Sequence, residues 1–202
     1  MVFLHLIGGG GVKSLKNRTD NIGVNKNFYG KLPTIIDLLK DLKDLERGTE
    51  TLYLRQDKIN YFMDLTMELY LSVQLDPSLK SESQFQEYIN ESANLLCGVI
   101  GDLLLYISSI EKIVTLIMEV GEWRKVCWRR SAIESLKELY QNTVFEQYFS
   151  EIDTEDDLDL ILESKGKKEG PVSEEEIPDG IPSSHWWWWG EEPEESDYEI
   201  AG

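Results

Sequence analysis

From Phe85 to Ile117 the apolar residues return every three or four positions: Phe85, Tyr88, Ile89, Leu96, Val99, Leu103, Ile107, Ile110, Val114 and Ile117. An α-helix turns once per 3.6 residues, so this spacing lays them along one stripe, whereas a strand would scatter them over two faces. The stripe predicts a single helix over 83–120. Ser83 can cap it, Gln86 can answer as the second half of a capping box, and Gly121 supplies a stop.

Three further segments carry the same period. Ile35, Leu38, Leu39, Leu42 and Leu45 predict a helix with Pro33 in its first turn and Gly48 at its end. Ile59, Phe62, Met63, Thr66, Leu69, Tyr70 and Val73 predict one over 52–75, broken by Asp76-Pro77. Val126, Ile133, Leu136, Tyr140 and Val144 predict one over 122–149. No run of alternating β-branched residues competes, so the expected class is all-α, a bundle of about four helices with one long central hairpin.

Charge divides the chain. The formal net charge is −18, and residues 151–202 hold 18 acids against 3 bases, so the first 150 residues are close to neutral. A near-neutral body with an acidic end reads as a folded domain and an arm that lacks the apolar density to compact by itself. The expected organisation is a weakly patterned arm at 1–32, a helical bundle at 33–150, a short acidic amphipathic helix at 151–164 capped by Asp153 or Thr154, and a mostly disordered acidic tail at 165–202.

Composition also bears on location. Cys97 and Cys127 sit inside apolar helical patterns and offer no disulfide framework, which reads as two reduced core thiols and a cytoplasmic protein. The N-terminal apolar run, Val2 to Ile7, is short for a secretion signal and lacks a basic leader. Asp102, Gly98 and Gly101 interrupt the longest apolar run, 95–110, which falls short of a bilayer span; no membrane partner is expected.

No sequence motif assigns a reaction. "GGGGVKS" lacks the Lys spacing of a phosphate loop, and His5 and His185 lie at opposite ends of the chain, so neither a metal nor another cofactor is expected. The segment "GDLLLYI", 101–107, resembles a stretch of the all-α nucleotide pyrophosphohydrolases over seven residues. That resemblance implies a nucleotide hydrolase using Asp102 and neighbouring carboxylates, although the paired E-x-x-E and E-x-x-D magnesium ligands of those enzymes are not found at suitable positions.

Four features remain as candidate sites. Asp102 is a lone charge in an apolar run, and a buried carboxylate needs a partner, for which Arg124 or Arg130 in the following helix are the expected cations. Arg124, Lys125, Arg129 and Arg130, interleaved with Trp123 and Trp128, form a candidate patch for an anion, for the acidic tail or for a nucleic acid. Against nucleic acid stands the body's own negative balance. Ala93, Cys97 and Gly101, spaced by four, form a small-residue face on which a second copy of the chain could pack.

The fourth is "HWWWWGEEPEE". Consecutive residues cannot share one face, so four tryptophans in a row cannot be an ordinary core segment. Trp186, Trp187, Trp188 and Trp189 are expected to be an exposed linear anchor whose flanking acids steer it to a protein partner with a basic or apolar groove. The function expected is thus a non-enzymatic adaptor or regulatory protein acting through its tail. A phosphate- or nucleic-acid-binding module masked by that tail is the alternative.

Overall fold

The computed structural model describes residues 13–117, 122–153, 158–169 and 171–190. The described residues contain helices and no strand, which establishes the all-α class. Six α-helices follow in order: α1 Lys13–Asp44, α2 Leu52–Leu75, α3 Ser83–Leu96, α4 Ile100–Lys112, α5 Trp123–Leu139 and α6 Leu160–Glu169. α2 is the centre of the bundle, with α1, α4 and α5 packed on it and α3 packed on α1.

The first helix begins twenty residues earlier than Pro33 implied, and Pro33 lies within it. Proline gives up one backbone hydrogen bond in a helix interior. The apolar stripe nevertheless continues through it: Phe28, Leu32, Ile35, Leu39 and Leu42 are all buried. Packing on α2 and α3 thus outweighs the lost bond. Phe3, Leu4, Leu6 and His5 lie outside the described residues.

A correction concerns the long third helix. The stripe from Phe85 is real, but the rod is broken at Cys97-Gly98-Val99, and α3 and the stretch Ile100–Thr115 meet at 85°. Gly98 N–H bonds back to the carbonyl of Leu95 and Val99 N–H to that of Leu96, three residues each, where an α-helix would reach four. A Cβ at Gly98 would stand 3.3 Å from the Leu95 carbonyl oxygen, so this tight turn suits glycine. After the break, α4 runs into a π-helical turn, Ile113–Ile117. Both halves still bury their share of the stripe, which is why periodicity alone did not show the corner.

The bend also takes apart the small-residue face. Ala93 is buried in the core, Cys97 is half-buried, and Gly101 sits beyond the corner beside the guanidinium of Arg47, whose Nη2 would lie 3.7 Å from an added Cβ. The three do not line one straight helix, so the close helix approach expected of them has no surface here.

α5 is shorter than expected. It ends at Leu139, and Asn142 adopts φ 61, a left-handed conformation that asparagine tolerates better than most residues. A 3₁₀ turn, Glu146–Glu151, follows, and the next helix is α6, which starts later than the predicted 151–164 and, with three lysines against two glutamates, is not the acidic helix expected. Asp153 precedes it; Thr154 lies outside the described residues.

The largest departure is at the C-terminal end. Residues 171–190 form a strap that crosses α2 and lies along α5, built from two short 3₁₀ turns, Glu174–Glu176 and Trp186–Trp188. Val172, Trp186, Trp187 and Trp188 are buried in the same core as the helices, with Ile177 and Ile181 packed on its edge. Limited proteolysis of the full chain is expected to leave 171–190 attached to the bundle, and early cutting inside that segment would contradict the packing. Residues 191–202 lie outside the described residues. Among the described residues no single helix is long and apolar enough to cross a membrane.

Candidate functional site: a tryptophan strap and an acidic cleft

A 3₁₀ turn has three residues per turn, so three successive side chains point in three directions. That resolves the problem of four adjacent indoles. Trp186, Trp187 and Trp188 each find a different buried surface, while Trp189 stays half-buried. Gly190, at φ 75, closes the turn by donating to the carbonyl of Trp186, and Val172 N–H donates to the carbonyl of Trp188 at 2.9 Å, tying the strap's two ends together.

The receiving surface is the second face of α5. Cys127 and Ser131, one turn apart, point away from the apolar stripe toward the strap. Trp187 Nε1 donates to the Cys127 carbonyl at 3.1 Å and to Ser131 Oγ at 3.0 Å; Trp188 Nε1 donates to the same oxygen at 2.8 Å. His185 Nδ1 lies 3.0 Å from Ser131 Oγ. A hydroxyl has two lone pairs and one hydrogen. With both indoles donating to this oxygen, its hydrogen is best placed toward His185 Nδ1, which then accepts. His185 is therefore the neutral tautomer that carries its proton on Nε2.

That Nε2 has no partner among the described residues, although the ring is fully buried. The ring stacks on Trp187 at 4.9 Å and faces Tyr70 of α2 at 6.1 Å. Burial, and then the nearby Arg130 charge, lower the His185 pKa from 6.5 to about 4. Burial likewise pushes the Cys127 thiol well up, so it is a structural thiol that donates to the Trp187 carbonyl.

Ser131→Ala removes the shared partner. Trp187 keeps the Cys127 carbonyl, but Trp188 is left with an unpaired buried N–H, at about 1–3 kcal/mol per orphaned group. A loss of about 2 kcal/mol in unfolding free energy is expected by denaturant titration, and an unchanged midpoint would contradict the hub.

Beside the strap lies a cleft of about 500 Å³, lined by Arg130, Glu134, Glu138, Asp159, Ser184, Trp186 and Trp187. Arg130 forms its floor. The guanidinium is bound by both Asp159 oxygens at 2.6 and 2.8 Å, by Glu134 at 3.1 Å, and lies 4.4 Å from the Trp187 ring centre. Burial alone would lower its pKa, but these carboxylates outweigh that and hold it above its ordinary value. Lys137 adds a longer contact to Glu134. Glu138 accepts a hydrogen bond from Tyr70 at 2.8 Å and has no cation beside it among the described residues. Burial and that carboxylate keep Tyr70 protonated far above its ordinary range.

The expected basic patch is not assembled. Arg124 and Lys125 are exposed, with Lys125 3.3 Å from Glu122; Arg129 lies over the Tyr106 ring at 5.8 Å; Arg130 is committed to the cleft. The four share no common surface.

Asp102 is buried, at 1% exposure, so the condition under which it needs a partner is met. Its partner is neither Arg124 nor Arg130. Arg55 of α2 binds it through two parallel hydrogen bonds, Nε to Oδ1 at 2.7 Å and Nη2 to Oδ2, and gives Nη1 to the Leu45 carbonyl at 2.8 Å. The pair thereby pins α2, α4 and the end of α1 together. Arg55 was missed, though the signal was there: it stands four residues before Ile59 and seven before Phe62, on the apolar face of α2.

Among the described residues no three His, Cys, Asp or Glu side chains are placed to hold a metal ion. No family model matches the chain, and no curated protein or solved structure matches it, so no relative's activity bears on this arrangement.

Proposed function

We propose that the chain is a non-enzymatic binding protein, of adaptor or regulatory type and cytosolic, that docks a basic segment of a protein partner on the face built by the strap and α5. The reading keeps the expected partner chemistry but changes how the tryptophans serve it. Here they are one wall of the receiving surface.

One observation carries the reading. Acids outnumber bases in the chain by 38 to 20, and the cations nearest the cleft are already engaged: Arg130 is held by Asp159 and Glu134, and Lys137 by Glu134. In a chain of formal net charge −18, what is left facing solvent is an excess of carboxylates. At the cleft that excess meets aromatic surface: Glu138, held by the Tyr70 hydroxyl and with no cation beside it among the described residues, lines it together with Trp186. Carboxylates next to indoles suit a Lys or Arg side chain, which can place its charge on the acid and its stem or plane on the ring. The same excess repels phosphate backbones, which disfavours the nucleic-acid alternative.

The test is titration of the full chain with an Arg- and Lys-rich peptide, a matched acidic peptide and a single-stranded oligonucleotide. Salt-sensitive binding of the basic peptide alone is expected. Glu138→Gln should weaken it about tenfold, while Glu82→Gln, on the exposed lead-in to α3, leaves it unchanged. Equal effects of both substitutions would reduce the binding to general charge attraction, and tighter binding of the oligonucleotide would overturn the reading.

A further inference from the structure

The wall of this docking face is held by a hydrogen-bond arrangement centred on one hydroxyl, with the Trp187 N–H shared between it and the Cys127 carbonyl. Ser131 Oγ receives two indole N–H groups and gives its one hydrogen to His185 Nδ1. The arrangement holds only while that nitrogen carries no proton. We propose that the strap is an acid-released latch: when His185 takes up a proton, its Nδ1–H is driven against the hydroxyl that already receives the two indoles, displacing them, and Trp186–Trp188 lift from α5.

The surroundings offer the imidazolium little relief. From α2 it faces the Tyr70 ring, whose hydroxyl is already given to Glu138. From α5 it meets Ser131 and the Arg130 guanidinium, a like charge, and Glu134 and Asp159 are engaged by that same arginine. From the strap it meets the Trp187 face. Among the described residues Glu138, which also lines the cleft, has no cation beside it, and Tyr70 already holds it.

The direction with pH follows. Released, the His185 imidazole titrates near 6.5; latched, it titrates near 4. Latch stability is therefore full above pH 6.5 and is lost as pH falls toward 4, by about 300-fold in the closed-to-open ratio over that window. The consequence for partner binding rests on the docking reading above, because an open strap removes Trp186 and Trp187 from the cleft.

The experiment follows indole emission and proteolytic cutting within 171–190 in the full chain from pH 7.5 to 4, with far-UV circular dichroism recorded in parallel. The wild type is expected to shift its emission to the red and become cleavable while its helicity is retained. His185→Phe keeps the stacked ring, cannot be protonated, and should stay closed about one pH unit lower or more. Should that variant fold poorly, His185→Gln, whose amide oxygen can accept from Ser131, takes its place. Release at the same pH in the non-titrating variants would assign the event to the cleft carboxylates and overturn the proposal. So would loss of helicity together with the emission change in the wild type. None of these readouts uses a partner, so a latch that fails leaves the docking reading standing. Conversely, absence of basic-peptide binding at pH 7.5 with the strap closed overturns docking alone.

Discussion

Trp187→Ala is expected to lower the unfolding free energy by about 3–5 kcal/mol, the range for removing a fully buried large aromatic side chain. For a domain of this size that corresponds to a fall in melting temperature of roughly 6–20 °C. Few single changes in the chain should do more. The indole is the point where the strap, α5 and the cleft meet: its N–H is held by the Cys127 carbonyl and Ser131, one neighbour of its ring is His185, and another is the Arg130 guanidinium. Removing it leaves a cavity against Arg130 and takes away the surface on which that buried cation lies. An exposed docking anchor, as the sequence suggested, would give no change in melting at all, so the measurement separates the two roles cleanly. Trp189→Ala, at the half-buried end of the turn, serves as the internal control and should cost much less.

The second large effect belongs to the other pole of the molecule. Asp102→Leu leaves the Arg55 guanidinium buried without its counter-charge, and breaking a buried ion pair from one side costs about 3–5 kcal/mol. Asp102→Asn keeps an oxygen to accept from Arg55 and should lose about 2 kcal/mol, the worth of hydrogen bonds to a charged group. Replacing both partners, Asp102→Leu with Arg55→Met, should recover much of the loss, because two apolar side chains bring no unpaired charge. Equal melting of the Leu and Asn variants would contradict the paired arrangement. A double variant no better than Asp102→Leu would show that Arg55 is held chiefly by the Leu45 carbonyl.

What the sequence made legible was local. Helical class, the α2 and α5 stripes and the break after Leu75 all follow from residues within a turn or two of one another. Three features did not, each for a physical reason. Pro33 carries a strong local signal for a helix start, yet Phe28 and Leu32 continue the stripe upstream, and tertiary burial outweighs one missing hydrogen bond. The corner at Gly98 is invisible to periodicity because both arms keep their apolar faces inward.

The strap is the deepest miss. Its acids, Glu174 to Glu176, are exposed and its prolines interrupt any period, while the groups that hold it, Ser131 and Cys127, lie more than fifty residues away on a helix already given a different buried face. One hint was present. α5 places small or polar Cys127 and Ser131 opposite its apolar stripe, next to Arg130, where an exposed helix face would carry more charge.

Hydrogen exchange of the indole N–H groups, read by nuclear magnetic resonance on the full chain at neutral pH with no partner added, tests the strap most directly. Of the chain's six tryptophans, Trp187 and Trp188 donate to buried acceptors on α5. Their Nε1 protons are expected to exchange as slowly as the amides of α5 itself, and to lose that protection in Ser131→Ala before the helix amides do. Exchange of both indoles at the rate of an unstructured peptide, with α5 still protected, would show that the tryptophans stand free of the bundle and that neither the cleft nor its latch exists in solution.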